Sequence, residues 1–179
     1  MQGLLVYKGK YGATEQYAEW AAKELNIPLQ ITHEWNEYDL AKADYLVIGT
    51  SVYIGALTIK EWIKNNLSAL EGKKIFMFIV SGTPVNEREK LLTYVNSSLP
   101  EQISKACKFY FLPGRLVYKK LSWSDKLLLR IGFFFSSRQQ KKRMKLKDYD
   151  SVKKENLAEL ISDVRKTVQS GKREAVFAN

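Results

Sequence analysis

Four stretches of the chain are apolar without alternation: Leu4-Leu5-Val6-Tyr7, Tyr45-Leu46-Val47-Ile48, Ile75-Phe76-Met77-Phe78-Ile79-Val80 and a run from Phe109 to Val117 interrupted by Pro113-Gly114. Continuous runs of this length suit parallel strands buried on both faces. A shorter strand is expected from Leu29 to His33, after Pro28 breaks the preceding pattern. Between the strands the period changes to that of a helix. Ala18, Ala21, Ala22 and Leu25 share one face; Ile59, Trp62, Ile63, Leu67 and Leu70 share another. Leu91, Leu92 and Val95 mark a helix starting near Asn86, and Leu157, Leu160, Ile161, Val164 and Val168 mark a last one from about Asp150. Thr14, Thr58, and Asp150 or Ser151 stand where these helices should begin, as side-chain caps. Glu34 to Lys42 is polar and irregular, and the tail from Gly171 is expected to fray.

Strand and helix therefore alternate with short connections. That pattern predicts a doubly wound α/β fold, a parallel sheet of five strands with helices on both faces. In such sheets ligands bind at the carboxyl ends of the strands. Three loops fall there: residues 8–14, 51–57 and 81–86. All three are rich in small or hydroxyl residues. The first, Lys8-Gly9-Lys10-Tyr11-Gly12-Ala13-Thr14, joins a strand to a helix start, where free N–H groups and the helix dipole favour a phosphate. It lacks the Lys-Ser/Thr pair of a P-loop and has only Gly-x-x-Gly of the dinucleotide fingerprint. A glycine turn in any α/β protein reads the same way, so this loop alone leaves both readings open.

The 179 residues are read as one domain with a basic segment inserted in it. Net charge is +10, and it is concentrated. The segment from Lys119 to Lys147 holds ten Lys or Arg and one acid, Asp125, leaving nineteen bases and eighteen acids elsewhere. It is also apolar: Trp123, Leu127, Leu128, Leu129, Ile131 and Phe133-Phe134-Phe135 lie among the charges. Basic ends around Trp and Phe are the pattern of a helix lying in an anionic membrane surface. Docking on a protein partner and stacking on nucleic acid rank below it, because a nucleic-acid binder more often spreads its charge over a face of the fold. The one cysteine, Cys107, lies in an apolar run and is read as a buried thiol; no disulfide can form within the chain. His33, the one histidine, has no metal-ligand companions at useful spacing, and no metal site is expected. There is no long uncharged apolar span and no leader pattern, so a cytoplasmic setting is expected.

With these residues in view the chain resembles the flavodoxin-like family, and the resemblance implies that family's order, 2-1-3-4-5, for the five parallel strands. Gly9-Lys10-Tyr11-Gly12-Ala13-Thr14 is similar to the loop that wraps the FMN phosphate in that family, chiefly through Gly12 and Thr14. Lys8 and Gly9 depart from it, standing where the family usually has hydroxyl residues; a Lys8 ammonium can supply charge instead. Within the family the chain resembles most the menaquinone-dependent protoporphyrinogen oxidase branch. Gly49-Thr50-Ser51-Val52-Tyr53-Ile54-Gly55, Pro113-Gly114-Arg115-Leu116-Val117-Tyr118 and the long basic insertion carry that likeness. The resemblance implies an FMN-dependent oxidoreductase with a porphyrinogen substrate and a membrane quinone as acceptor, peripheral on the inner face of the cell membrane. It implies FMN contacts at Gly9, Lys10, Tyr11, Gly12, Ala13 and Thr14, at Ser51, Val52, Tyr53, Ile54 and Gly55, and at Ser81, Gly82 and Thr83. Tyr53 is the candidate for stacking on the isoalloxazine ring, with packing on its own helix as the alternative. No side-chain acid or base is expected. The rival expectations are an electron carrier serving a redox partner protein, and a docking protein of the same fold with little or no flavin affinity.

Overall fold

A computed structural model describes residues 1–34, 36–127 and 148–177. They fall into two compact units: residues 1–114 with the C-terminal stretch from 152, and residues 115–151.

The first unit is built on a parallel sheet. Its strands are β1 (Gly3–Lys8), β2 (Leu29–Ile31), β3 (Tyr45–Tyr53), β5 (Lys74–Ser81) and β6 (Cys107–Pro113), in the order β2-β1-β3-β5-β6. The remaining strand, β4 (Ala56–Leu57), pairs antiparallel with the end of β3. Counting parallel strands alone, this is the expected 2-1-3-4-5 order.

Each central strand is buried on both sides, and its residues divide by parity. Leu5, Tyr7, Val47, Phe76, Phe78, Tyr110 and Leu112 face one core; Leu4, Val6, Leu46, Ile48, Ile75, Met77 and Ile79 face the other. Helix α1 (Ala13–Leu25) and the C-terminal helix α7 (Ala158–Phe177) cover the first face. Helices α2 (Glu37–Lys42), α3 (Lys60–Asn65), α4 (Leu67–Leu70), α5 (Arg88–Ser98) and α6 (Glu101–Ala106) belong to the second side, contributing Leu40, Ile63, Leu70, Val95 and Ile103. Alanines at 18, 21 and 22 bring α1 close to the sheet, because they carry little side chain to hold it away.

The structure corrects several expectations. Residues 51–53 continue β3 instead of forming a loop: Ser51 still pairs with Val80 of β5, and β4 gives Val52 and Tyr53 a partner. The helix expected over residues 59–70 is two helices, broken at Asn66, whose amide Nδ2 donates to the Trp62 carbonyl at 2.7 Å. Helix α5 starts at Arg88, two residues after the expected Asn86. The run toward Val117 ends its part in the sheet at Pro113. Helix α6 has no apolar periodicity to reveal it; Pro100 precedes it and Ile103 alone anchors it in the core. Cys107 is half-buried at the start of β6, and that burial pushes its thiol up to about 12. Asp150 lies in a strand, not at a helix cap, and α7 is entered through a 3-10 turn at Lys154–Leu157. The backbone of α7 continues past Gly171 to Phe177.

In the second unit, β7 (Arg115–Leu116) pairs antiparallel with β8 (Tyr149–Asp150). The Arg115 guanidinium reaches Asp150 at 3.6 Å, and the Asp148 carboxylate accepts the Tyr118 N–H at 2.8 Å. Both ends of the basic segment are thus tied at a two-stranded stem. A helical stretch begins at Trp123, whose side chain is 79% exposed. The expected apolar surface and basic run at residues 128–147, including Arg130, Phe133, Phe134, Phe135, Lys141, Lys142 and Arg143, lie outside the described residues.

Candidate functional site

The chain leaves β1 toward β2 on one side, while β3 pairs with β1 on the other. Order therefore reverses between β1 and β3, and the crevice at their carboxyl ends is where an open α/β sheet takes a ligand. Lys8 and Thr50 are paired there at the ends of the two strands.

The loop out of β1 closes within four residues because of its two glycines, which do different things. Gly9 is needed for a close approach: a Cβ on it would lie 2.7 Å from the Thr14 Cβ. Gly12 is needed for its backbone, with φ +77° at the cap of α1, and a Cβ there would meet nothing within 4 Å. Gly12 thus faces open space at a helix start. Its carbonyl accepts the first helical bond, from the Gln16 N–H at 3.1 Å. The N–H groups ahead of that bond have no carbonyl within the helix to accept them. Thr14 is not the cap. It lies inside the first turn, 2% exposed, with its side chain against Gly9. Ala13 is buried beside it, while Lys10 and Tyr11 are exposed. The Tyr7 hydroxyl donates to Glu15 at 3.1 Å; burial first, and then the Glu15 charge, hold that phenol above its usual range.

The second segment is a hairpin. Val52 and Tyr53 pair with Leu57 and Ala56, and the turn residues are Ile54 at φ 48° and Gly55 at φ 73°. Two positive φ values are the mark of a type I′ turn, which usually takes Asn-Gly. A β-branched residue in the left-handed region is an outlier. Ile54 is also 68% exposed, so no burial compensates it. The hairpin is held from below by the Ser98 hydroxyl, which accepts the Leu57 N–H at 2.9 Å.

Beneath the hairpin lies a knot of hydroxyls. Thr58 Oγ1 donates to the Lys8 carbonyl at 2.9 Å. With its proton used there, it accepts the Ser51 N–H at 3.3 Å and lies 3.1 Å from Thr50 Oγ1 and 3.2 Å from Ser51 Oγ. Thr58 is therefore no helix cap: α3 starts after Ile59, whose N–H donates to Thr50 Oγ1 at 3.3 Å. Above the knot, the Lys10 ammonium sits 3.6 Å from the Tyr53 ring centroid.

The third loop follows β5. Ser81 Oγ donates to the Thr83 carbonyl at 3.1 Å, and the Ser81 carbonyl accepts the Gly114 N–H at 2.9 Å. Gly82 is exposed and Thr83 half-buried. The structure thus places residues 9–14, 51–55 and 81–83 at the carboxyl ends of β1, β3 and β5, which are neighbours in the sheet, and Lys10 on the Tyr53 ring joins the first two segments. Thr50 and Thr58 join the arrangement unforeseen. An Ile-Gly turn between Val52-Tyr53 and Ala56-Leu57 was the available signal for the hairpin, and Ile in the Asn position concealed it.

Among the described residues, no group of His, Cys, Asp and Glu is arranged to hold a metal ion, and no helix is long and apolar enough to cross a membrane.

The family model described as flavodoxin domain matches residues 4–145. No curated protein matches the chain significantly. Among solved structures, a flavodoxin from the domain Archaea is 16% identical, covering 66% of this chain and 87% of its own, with a TM-score of 0.48. The Trp repressor binding protein from Bacillus subtilis is 16% identical over 63% and 83%, with a TM-score of 0.46. Oxidised flavodoxin 2 from Bacillus cereus is 18% identical over 63% and 84%, with a TM-score of 0.45. With the family model covering most of its length, the chain belongs to the flavodoxin-domain family.

Proposed function

We propose that the chain is an FMN-binding oxidoreductase, of the kind that oxidises a porphyrinogen and hands the electrons to a quinone. The observation that carries the flavin reading is the opening at Gly12: positive φ, free space beside it, and the start of a 13-residue helix at the switch point of the sheet. That is the chemistry an isolated phosphate requires, namely backbone N–H donors and a positive dipole end with no side chain in the way. The residues present fit such a group. The first-turn N–H groups of α1 would hold the phosphate, Lys8 and Lys10 would add charge, and Tyr53 would offer an aromatic face to the ring. Bound there, the flavin supplies the electron-accepting centre. The protein's own part is to bind it, orient it and shelter it; no acid or base among these side chains is assigned to the reaction.

The basic segment supports a membrane role within the same reading. Trp123 is 79% exposed, Leu127 is 44% exposed, and both lie in the segment from Lys119 to Lys147, which carries nine of the ten net positive charges. An anionic bilayer meets both features, and it is where a quinone acceptor resides.

The test is spectroscopic. Titration of FMN into purified protein should shift the visible flavin spectrum and quench its fluorescence. Turnover of protoporphyrinogen with a quinone then separates an enzyme from an electron carrier. Absence of any spectral response to excess FMN overturns both redox readings and leaves a docking protein of this fold.

A further inference from the structure

We infer that Thr58 is a positioning residue: it locks the β1–α1 loop and the β3–β4 hairpin into one arrangement, and so sets affinity at the rim they form. This rests on the flavin reading above for its ligand, but the lock itself is read from the hydrogen bonds.

Only the Lys8 carbonyl and the Ser51 N–H need be considered to see why. Lys8 is the last residue of β1, immediately before Gly9, and Ser51 is where β3 leaves the sheet for the hairpin. One oxygen, Thr58 Oγ1, serves both, donating to Lys8 at 2.9 Å and accepting from Ser51 at 3.3 Å. The backbone repeats the tie on the hairpin side, where the Thr58 N–H donates to the Ser51 carbonyl at 2.9 Å. The tie to Lys8 is the hydroxyl's alone. A second contact joins the same two segments on their outer side, Lys10 on the Tyr53 ring. Beyond the strand pairing that ends at Lys8 and Thr50, the loop that would take the phosphate and the segment that would offer the ring are therefore tied to each other at two further points, one of which is a single removable hydroxyl. A hydroxyl supplies one donor and two acceptor positions, so Ser reproduces this junction and the isosteric Val cannot.

The experiment uses the full chain with Thr58→Val and Thr58→Ser, read by FMN titration and by hydrogen–deuterium exchange without ligand. Thr58→Val should weaken FMN binding about tenfold, the factor expected when a net hydrogen bond that holds the site is lost. It should also speed exchange across residues 9–12 and 52–57 together. Thr58→Ser should restore both, which a packing role for the γ-methyl would not allow. Wild-type affinity in Thr58→Val, or equal losses in Val and Ser, overturns the inference. If the wild-type chain takes up no FMN, the flavin reading falls; joint acceleration of both segments in Val and its reversal in Ser then still carries the lock, and unchanged exchange removes it.

Discussion

The Lys10 ammonium lies 3.6 Å from the centroid of the Tyr53 ring, on an aromatic face that a flavin would use. Such a contact contributes about 0.5–1 kcal/mol at exposed sites. A stacked isoalloxazine and the ammonium compete for the ring if they approach the same face. Lys10→Gln removes the competitor, and also a cation that favours a phosphate. Riboflavin, which has no phosphate, should therefore bind Lys10→Gln more tightly than wild type, while the preference for FMN over riboflavin narrows. Weaker riboflavin binding in the variant would show that Lys10 supports the ring instead of covering it. Paired titrations of the two flavins measure both effects.

The two glycines of the first loop should separate under mutation. Gly9→Ala places a methyl 2.7 Å from the Thr14 Cβ, and Thr14 is buried. The cost should be about 1–3 kcal/mol of stability, the usual range for overpacking. Gly12→Ala meets no atom within 4 Å, so its stability cost should be confined to about 1–2 kcal/mol for an L-residue at positive φ. Gly12→Val adds a branched side chain to the space where the ligand is proposed to sit, and should lose FMN binding. Urea unfolding and FMN titration together distinguish the two positions.

How far the site could be read from the sequence depended on the kind of signal. Buried parallel strands announce themselves because both faces are apolar, as at Ile75 to Val80; alternation with helices gives the doubly wound class, and the order came from the resemblance to the flavodoxin-like family. Loop chemistry is different, because a hydroxyl near a helix start has several partners to choose from. Thr14 and Thr58 carry the pattern of caps, yet Gly12 takes the first position, and Thr58 turns to Lys8. That choice depends on a strand 50 residues away, which local spacing does not encode. Helix α6 was hidden for a related reason, since a single buried residue, Ile103, holds it.

Ile54 should be replaceable with a gain in stability. A non-glycine residue in the left-handed region costs roughly 1–3 kcal/mol, and Ile is among the worst choices there. Ile54→Asn creates the Asn-Gly pair that type I′ turns prefer. It should raise the unfolding free energy by about 1 kcal/mol, because the exposed side chain has little burial to lose. A destabilised Ile54→Asn in urea would mean that the Ile side chain is held by contacts that outweigh its backbone strain.

Asp163 on α7 ties that helix to the edge strand β6. Lys108 is hydrogen-bonded to it, and the Tyr110 hydroxyl donates to it at 2.8 Å. The Lys108 bond first, and the Tyr110 bond second, hold this carboxyl below its usual range. A carboxylate whose folded pKa is depressed contributes stability above its unfolded pKa, about 4, and loses it as pH falls through the folded value. Asp163→Asn should therefore melt lower than wild type at neutral pH, and the difference should close in acid below about pH 4. Melting curves across pH 2.5–7 check this, and a difference that persists unchanged into acid would assign the effect to packing.

The basic segment makes a prediction with two separable parts. Electrostatic capture depends on the charges between Lys119 and Lys147, each contributing on the order of 1 kcal/mol close to an anionic surface. That attraction is screened over roughly 8–10 Å near physiological ionic strength, so liposome binding should weaken as salt rises. Retention depends instead on burying Trp123 and the three consecutive Phe, which salt does not oppose. Lys141, Lys142 and Arg143 to Gln should mainly reduce capture by anionic vesicles. Phe133, Phe134 and Phe135 to Ser should weaken retention even at low salt, and Trp123→Ala should act in the same direction, since Trp123 is already 79% exposed and has little packing to lose among the described residues. Neutral vesicles should bind poorly at any salt. Sedimentation with the two vesicle types decides the matter: equal binding to both, or none to either, removes the membrane role and points to a protein partner for this segment.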